Sequence, residues 1–198
     1  DAQARGEIVN GEIVLVISST PSAYALERAA KAGIPSCVVA RKEYPSNQAM
    51  TVALVDKLKE ARIDLVVLAG FMVILTGEMV QAYPNAILNV HPALIPSFAG
   101  PGCYGLHVHE KALEYGVKLT GATVHFVSEE CDGGPIVSQK AVEVLPDDTP
   151  EVLQRRVMEQ CEWQLLPQAV SLFCQDRLSV EGRTVRILNA ECRMQNAE

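Results

Sequence analysis

The sequence has no apolar run approaching the roughly 20 residues that a helix needs to cross a bilayer, so no membrane-spanning helix is expected. Its opening residues, Asp1-Ala2-Gln3-Ala4-Arg5, do not have the layout of a secretory leader. An excess of basic residues is also missing: 17 Lys and Arg against 24 Asp and Glu leave a formal charge of -7. That balance argues against a broad surface for nucleic acid, while leaving room for a local patch that gathers a phosphate on a small substrate. The 6 cysteines, at 37, 103, 131, 161, 174 and 192, include no CxxC pair. Separate thiols in a reducing compartment fit this better than a disulfide framework, and cytoplasm is the expected location. No linker, repeat or second domain interrupts the chain, so residues 1–198 are expected to form a single domain.

What is present reads as an ordinary globular enzyme, with 48% hydrophobic and 21% charged residues. Glu12 to Ile17 is a β-branched run followed by a Ser/Thr/Pro loop and a helical stretch from Ala23 to Ala32 that ends at Gly33. The same order returns in Cys37 to Ala40 followed by Asn47 to Ala61, and in Leu65 to Leu68 followed by Thr76 to Ala82. Repeated strand–helix units predict an open, Rossmann-like α/β fold with a mostly parallel twisted sheet and helices on both faces.

Ala86 to Val90 reads as a further strand, which His91-Pro92 ends because proline lacks a donor and restricts its predecessor. Residues 91–105 are too rich in proline and glycine for regular structure, so a long loop is expected before a helix near Val108 to Tyr115. Gly121 to Val127 and Pro135 to Val144 then predict a C-terminal antiparallel hairpin across the acidic, Gly-rich connection Ser128 to Gly134. Thr149 with Pro150 signals the start of a long last helix, bent near Pro167.

Ligands of open α/β sheets bind beyond the carboxyl ends of the strands, which is where Asn89, His91 and the long loop fall. An Asn amide donates hydrogen bonds at any pH, an imidazole donates or moves protons near neutrality, and a carboxylate such as Asp132 can orient and charge that imidazole. Together they suit a carbonyl-centred reaction that develops an oxyanion. Taken singly, each has a plainer reading, as a turn former, a satisfied histidine or a tight Asp-Gly-Gly turn.

The segments Leu68 to Met72, Leu88 to Pro96, Gly121 to Val127 and Asp132 to Ile136 closely resemble the phosphoribosylglycinamide formyltransferase family of purine synthesis. The resemblance implies formyl transfer from 10-formyltetrahydrofolate to the amine of glycinamide ribonucleotide, without a metal or redox cofactor; the charge balance and the lack of a long apolar run give no nucleic acid and no membrane as the expected partners. It implies that Asn89 and His91 hold the oxyanion, and that Asp132 pairs with His91 and helps move the proton. Met72, Val73, Ile74 and Leu75 become folate-site candidates with Val127 on an adjacent wall; by default these apolar residues would be core. Val73 stands where the family often has arginine. Glu162 falls where the family binds the ribonucleotide, provided one extra residue is allowed between Val157 and Glu162.

The family's opening strand and Gly/Ser-rich phosphate loop have no counterpart here, which leads to the expectation that roughly 20 residues precede Asp1 in the complete protein. The nearest rival is a formyltetrahydrofolate hydrolase, which resembles the transferase in its Asn, His and Asp but uses water as acceptor. A methionyl-tRNA formyltransferase would need a tRNA-binding extension and a more basic surface. A metal site from His91, His107, His109, His125 and Cys103 would need better ligand spacing, since residues two apart on a helix point in different directions. A non-catalytic nucleotide-binding module is the remaining option.

Overall fold

Ser46 and Thr149 both hold extended backbone ahead of a helix and accept a hydrogen bond from an amide of its first turn, Ala49 N–H at 3.0 Å and Val152 N–H at 3.3 Å. These caps satisfy donors that the helix cannot bond internally, and they fix where α2 (Asn47–Glu60) and α5 (Pro150–Val157) begin. The computed structural model describes residues 1–189. They form two compact units, Glu12–Ile87 and a second made of Asp1–Gly11 with the residues from Leu88 onward.

The first unit runs β1 (Val16–Ser18), α1 (Tyr24–Lys31), β2 (Ser36–Val38), α2, β3 (Val66–Leu68) and α3 (Gly77–Ala82). β1 and β2 pair in parallel, Val16 opposite Ser36 and Ser18 opposite Val38, as a strand–helix–strand unit requires. Met50, Leu54, Val55 and Leu58 form the buried stripe of α2, at the spacing of one helix face. The strand expected from Glu12 begins only at Val16, and Ile13 and Val14 are exposed.

The second unit carries β4 (Ile87–His91) from Leu88 onward, α4 (Leu106–Tyr115), β5 (Leu119–Phe126), β6 (Ile136–Glu143), α5, α6 (Trp163–Cys174), β7 (Leu178–Glu181) and β8 (Thr184–Ile187). Its strands lie in the order β4-β5-β6-β8-β7. β5 is antiparallel to both β4 and β6, which supplies the expected C-terminal antiparallel pair. The β7–β8 hairpin turns at Gly182 and attaches in parallel to β6 through Ile136 and Thr184. The open α/β fold read from the sequence, with its later antiparallel strands and long helical segment, is the fold observed.

The long helical segment contains a π-helical turn, Met158–Glu162, between α5 and α6. Leu153, Val157, Cys161, Leu165 and Ala169 are all buried, at every fourth position. A spacing of four overshoots the α-helical turn of about 3.6 residues by roughly 40° a step, and the wider π turn takes up much of that drift, keeping the stripe on the core. Pro167 lies inside α6. Val9 N–H donates to the Ser171 hydroxyl at 3.1 Å, which ties the first segment of the chain to α6.

Candidate functional site

Asn89 and His91 are two apart on β4 and therefore face the same side of the sheet. The antiparallel register places His125 opposite Asn89 and Thr123 opposite His91, so all four side chains share that side. Their neighbours Leu88, Val124 and Phe126 are fully buried on the other side. Asn89 is half-buried, and His91, Thr123 and His125 are buried.

Asp132 reaches the same place from the connection between β5 and β6. Its backbone is left-handed, with φ 53°, a conformation that Asp tolerates better than most residues. Gly134 permits the return path: a Cβ there would sit 1.8 Å from the Phe126 carbonyl oxygen. Asp132 Oδ2 lies 3.6 Å from His91 Nδ1, Asp132 Oδ1 lies 3.8 Å from His125 Nε2, and Gly100 N–H donates to Oδ2 at 2.9 Å. The carboxylate therefore stands between two imidazoles and is held by the loop after β4.

The His91 ring faces an acceptor on each side, Asp132 at Nδ1 and the Phe98 carbonyl at Nε2, 2.8 Å away. A carbonyl oxygen can only accept, so Nε2 carries a proton. Burial holds His125 below its usual range, outweighing its bond to the Phe126 carbonyl and the nearby Asp132. Burial also pushes His109 on α4 down to about 4, with His91 adding to the effect. Neither nitrogen of His109 has a hydrogen-bond partner among the described residues.

A second set of polar contacts pins the loop leaving His91. The Thr123 hydroxyl donates to the Ala93 carbonyl at 2.7 Å and accepts from Ile95 N–H at 3.1 Å. Gln139 of β6 donates to that hydroxyl at 2.9 Å and to the Ile95 carbonyl at 3.0 Å. Thr123 and Gln139 carry no site role in the sequence reading, and His125 enters it only as a metal-ligand alternative. The available signal was the alternation along the Gly121 to Val127 strand, which puts Thr123 and His125 on one side once its partner is known.

The remaining candidates lie on other elements. Val127 is half-buried just past β5. Glu162 closes the π turn. Burial pushes its carboxyl up to about 7, and it has no hydrogen-bond or ion-pair partner among the described residues. Met72 to Leu75 follow β3 in the first unit. Met72 and Ile74 are 56% and 75% exposed, so the core reading of these two does not hold. Val73 and Leu75 are half-buried.

His107 points outward to Glu110, at 2.7 Å, while His109 points inward, which separates them as helix geometry requires. No group of three or more His, Cys, Asp or Glu side chains is arranged to hold a metal ion among the described residues. Cys37, Cys103, Cys131 and Cys161 are free thiols, and Cys192 lies outside the described residues. No described helix is long and apolar enough to cross a membrane.

Residues 2–170 match the family described as formyl transferase. The chain is 42% identical over 171 residues to the chloroplastic phosphoribosylglycinamide formyltransferase of Arabidopsis thaliana, covering 86% of this chain but 58% of that protein, under two thirds of its length. It is 41% identical over 181 residues to the phosphoribosylglycinamide formyltransferase of Haemophilus influenzae, covering 91% of this chain and 82% of the other. A crystal structure of glycinamide ribonucleotide transformylase 1 from Symbiobacterium toebii superposes with a TM-score of 0.89 at 45% identity, covering 95% of this chain and 85% of that one.

Proposed function

The chain belongs to the formyl transferase family, and from that premise we propose that it moves a formyl group from 10-formyltetrahydrofolate to the primary amine of glycinamide ribonucleotide. The observation that supports this most is the convergence of Asn89, His91 and Asp132 on one side of the β4–β5 pair. In the reaction the amine nitrogen attacks the formyl carbon, a C–N bond forms, and the carbonyl oxygen takes negative charge. The bond from that carbon to the folate nitrogen then breaks, and the proton leaving the amine ends on the folate nitrogen. No electrons change hands, so the chemistry asks for oxyanion stabilisation and a proton carrier.

Asn89 supplies an amide N–H to the oxyanion. His91 supplies its Nε2–H, with the formyl oxygen replacing the Phe98 carbonyl as acceptor. Asp132 stabilises the charged ring through Nδ1 and passes the proton through water. Met72, Val73, Ile74 and Leu75 would offer the folate apolar surface, consistent with the exposure of Met72 and Ile74, and half-buried Val127 is the folate candidate of the other unit. Glu162, desolvated and unpartnered, suits the amine end of the ribonucleotide. The free thiols favour a reducing compartment such as the cytoplasm.

The test follows formylated amine and free formate when the protein meets 10-formyltetrahydrofolate with and without glycinamide ribonucleotide. Transfer predicts formylated amine and little formate without acceptor. Equal formate release in both arms would contradict transfer and favour hydrolysis.

A further inference from the structure

An oxyanion donor works only if its N–H is aimed, and a free carboxamide can present its oxygen to the same place by a half-turn. Asn89 is not free to turn. Its Nδ2 lies 3.2 Å from His125 Nε2, and His125 Nδ1 lies 2.9 Å from the Phe126 carbonyl oxygen. Because that carbonyl can only accept, Nδ1 must carry a hydrogen. His125 is 2% exposed and burial disfavours its charged form, which leaves Nε2 with a lone pair. A lone pair there accepts from the Asn89 amide and repels the Asn89 carbonyl oxygen. One amide hydrogen is thereby committed to His125, and the second is left for a ligand.

Two features of the backbone support this orientation. The β5–β6 register slips between Val124 and His125, and such irregularities re-aim a side chain beside a site. Gly134 leaves the Phe126 carbonyl uncovered, since any Cβ at 134 would overlap it.

We infer that His125 is a positioning residue: as a neutral Nδ1–H imidazole accepting at Nε2, it fixes the Asn89 carboxamide with an N–H toward the reacting carbonyl. This rests on the reading of Asn89 as an oxyanion donor. The side-chain oxygen of Gln can occupy the place of Nε2, whereas Asn reaches only the place of Nδ1. His125→Gln therefore keeps the acceptor and His125→Asn removes it.

The experiment measures kcat and KM of the full chain for formyl transfer, alongside the ring-nitrogen spectrum of His125 by 15N NMR in the unsubstituted protein. His125→Asn is expected to lower kcat on the order of 100-fold with KM little changed, as for loss of one oxyanion donor, and His125→Gln to restore most of it. In an Asn89→Ala background, His125→Asn should cost nothing further, because the two residues act as one unit. Equal loss in both His125 variants, or an additional loss on top of Asn89→Ala, would overturn the proposal. So would a spectrum with the proton on Nε2, and this measurement needs neither turnover nor a folded variant. Absence of formyl transfer by the unsubstituted protein would instead sink the functional reading and leave the tautomer to be decided by the spectrum.

Discussion

His109 is wholly buried on α4, with both ring nitrogens unbonded to any described residue. An unsatisfied polar group in the interior costs about 1–3 kcal/mol, and replacing it by an apolar group of similar shape removes that cost. His109→Leu should therefore leave thermal stability unchanged or raise it at pH 7.5, as read by the unfolding midpoint. The ring's shift from 6.5 to about 4 also has a definite sign: the unfolded chain takes up the proton first, so the native state loses stability as pH falls from 6.5 through about 4. His109→Leu should flatten that part of the stability–pH curve. Asn89, His91 and Asp132 were readable in the sequence because their side chains carry recognisable chemistry and sit at a strand end or in a Gly-rich turn. His125 and His109 were not, because the role of an imidazole depends on which atoms face its two nitrogens.

β5 shows the same division at the level of elements. Its length and alternation were plain in the sequence, but its register with β4 and β6 makes Thr123 and Gln139 the pins of the loop that follows His91. Thr123→Val keeps the shape and deletes the hydroxyl, leaving the Ala93 carbonyl, Ile95 N–H and the Gln139 amide short of partners. We expect a loss of about 1–3 kcal/mol in denaturant unfolding and a lower kcat, since the loop also presents Phe98 and Gly100 to His91 and Asp132. The capped helices were equally plain, Thr149-Pro150 marking the start of α5. The β7–β8 hairpin was not expected, because its short strands alternate only weakly and gain their place by pairing with the distant β6. The π turn resembles an ordinary helix in sequence; only the burial of every fourth residue through it distinguishes it.

Across the molecule, buried His109 and half-buried Glu162 pull stability in opposite directions with pH. Glu162 is shifted from 4.5 up to about 7, so the native state holds its proton more tightly. Its contribution is complete below 4.5 and is lost as pH rises through about 7, opposite to the trend set by His109. Glu162→Gln should raise the unfolding midpoint at pH 8 and leave it nearly unchanged at pH 4, while raising KM for the ribonucleotide. A stabilising change that weakens acceptor binding is the signature expected of a group kept for a ligand rather than for the fold. The open α/β fold followed from repeated strand–helix units, whereas the division into two units depends on packing between residues far apart in sequence.

The most direct measurement is the turnover of Asp132→Asn against the unsubstituted full-length chain, with thermal unfolding of both recorded alongside. Asn keeps the size of the side chain and can still accept from Gly100 N–H, but it removes the charge facing His91 and His125. The prediction is a fall in kcat on the order of 100-fold or more with an unfolding midpoint close to that of the unsubstituted protein. Near-normal formyl transfer by Asp132→Asn would contradict the assignment of the chemistry to Asn89, His91 and Asp132.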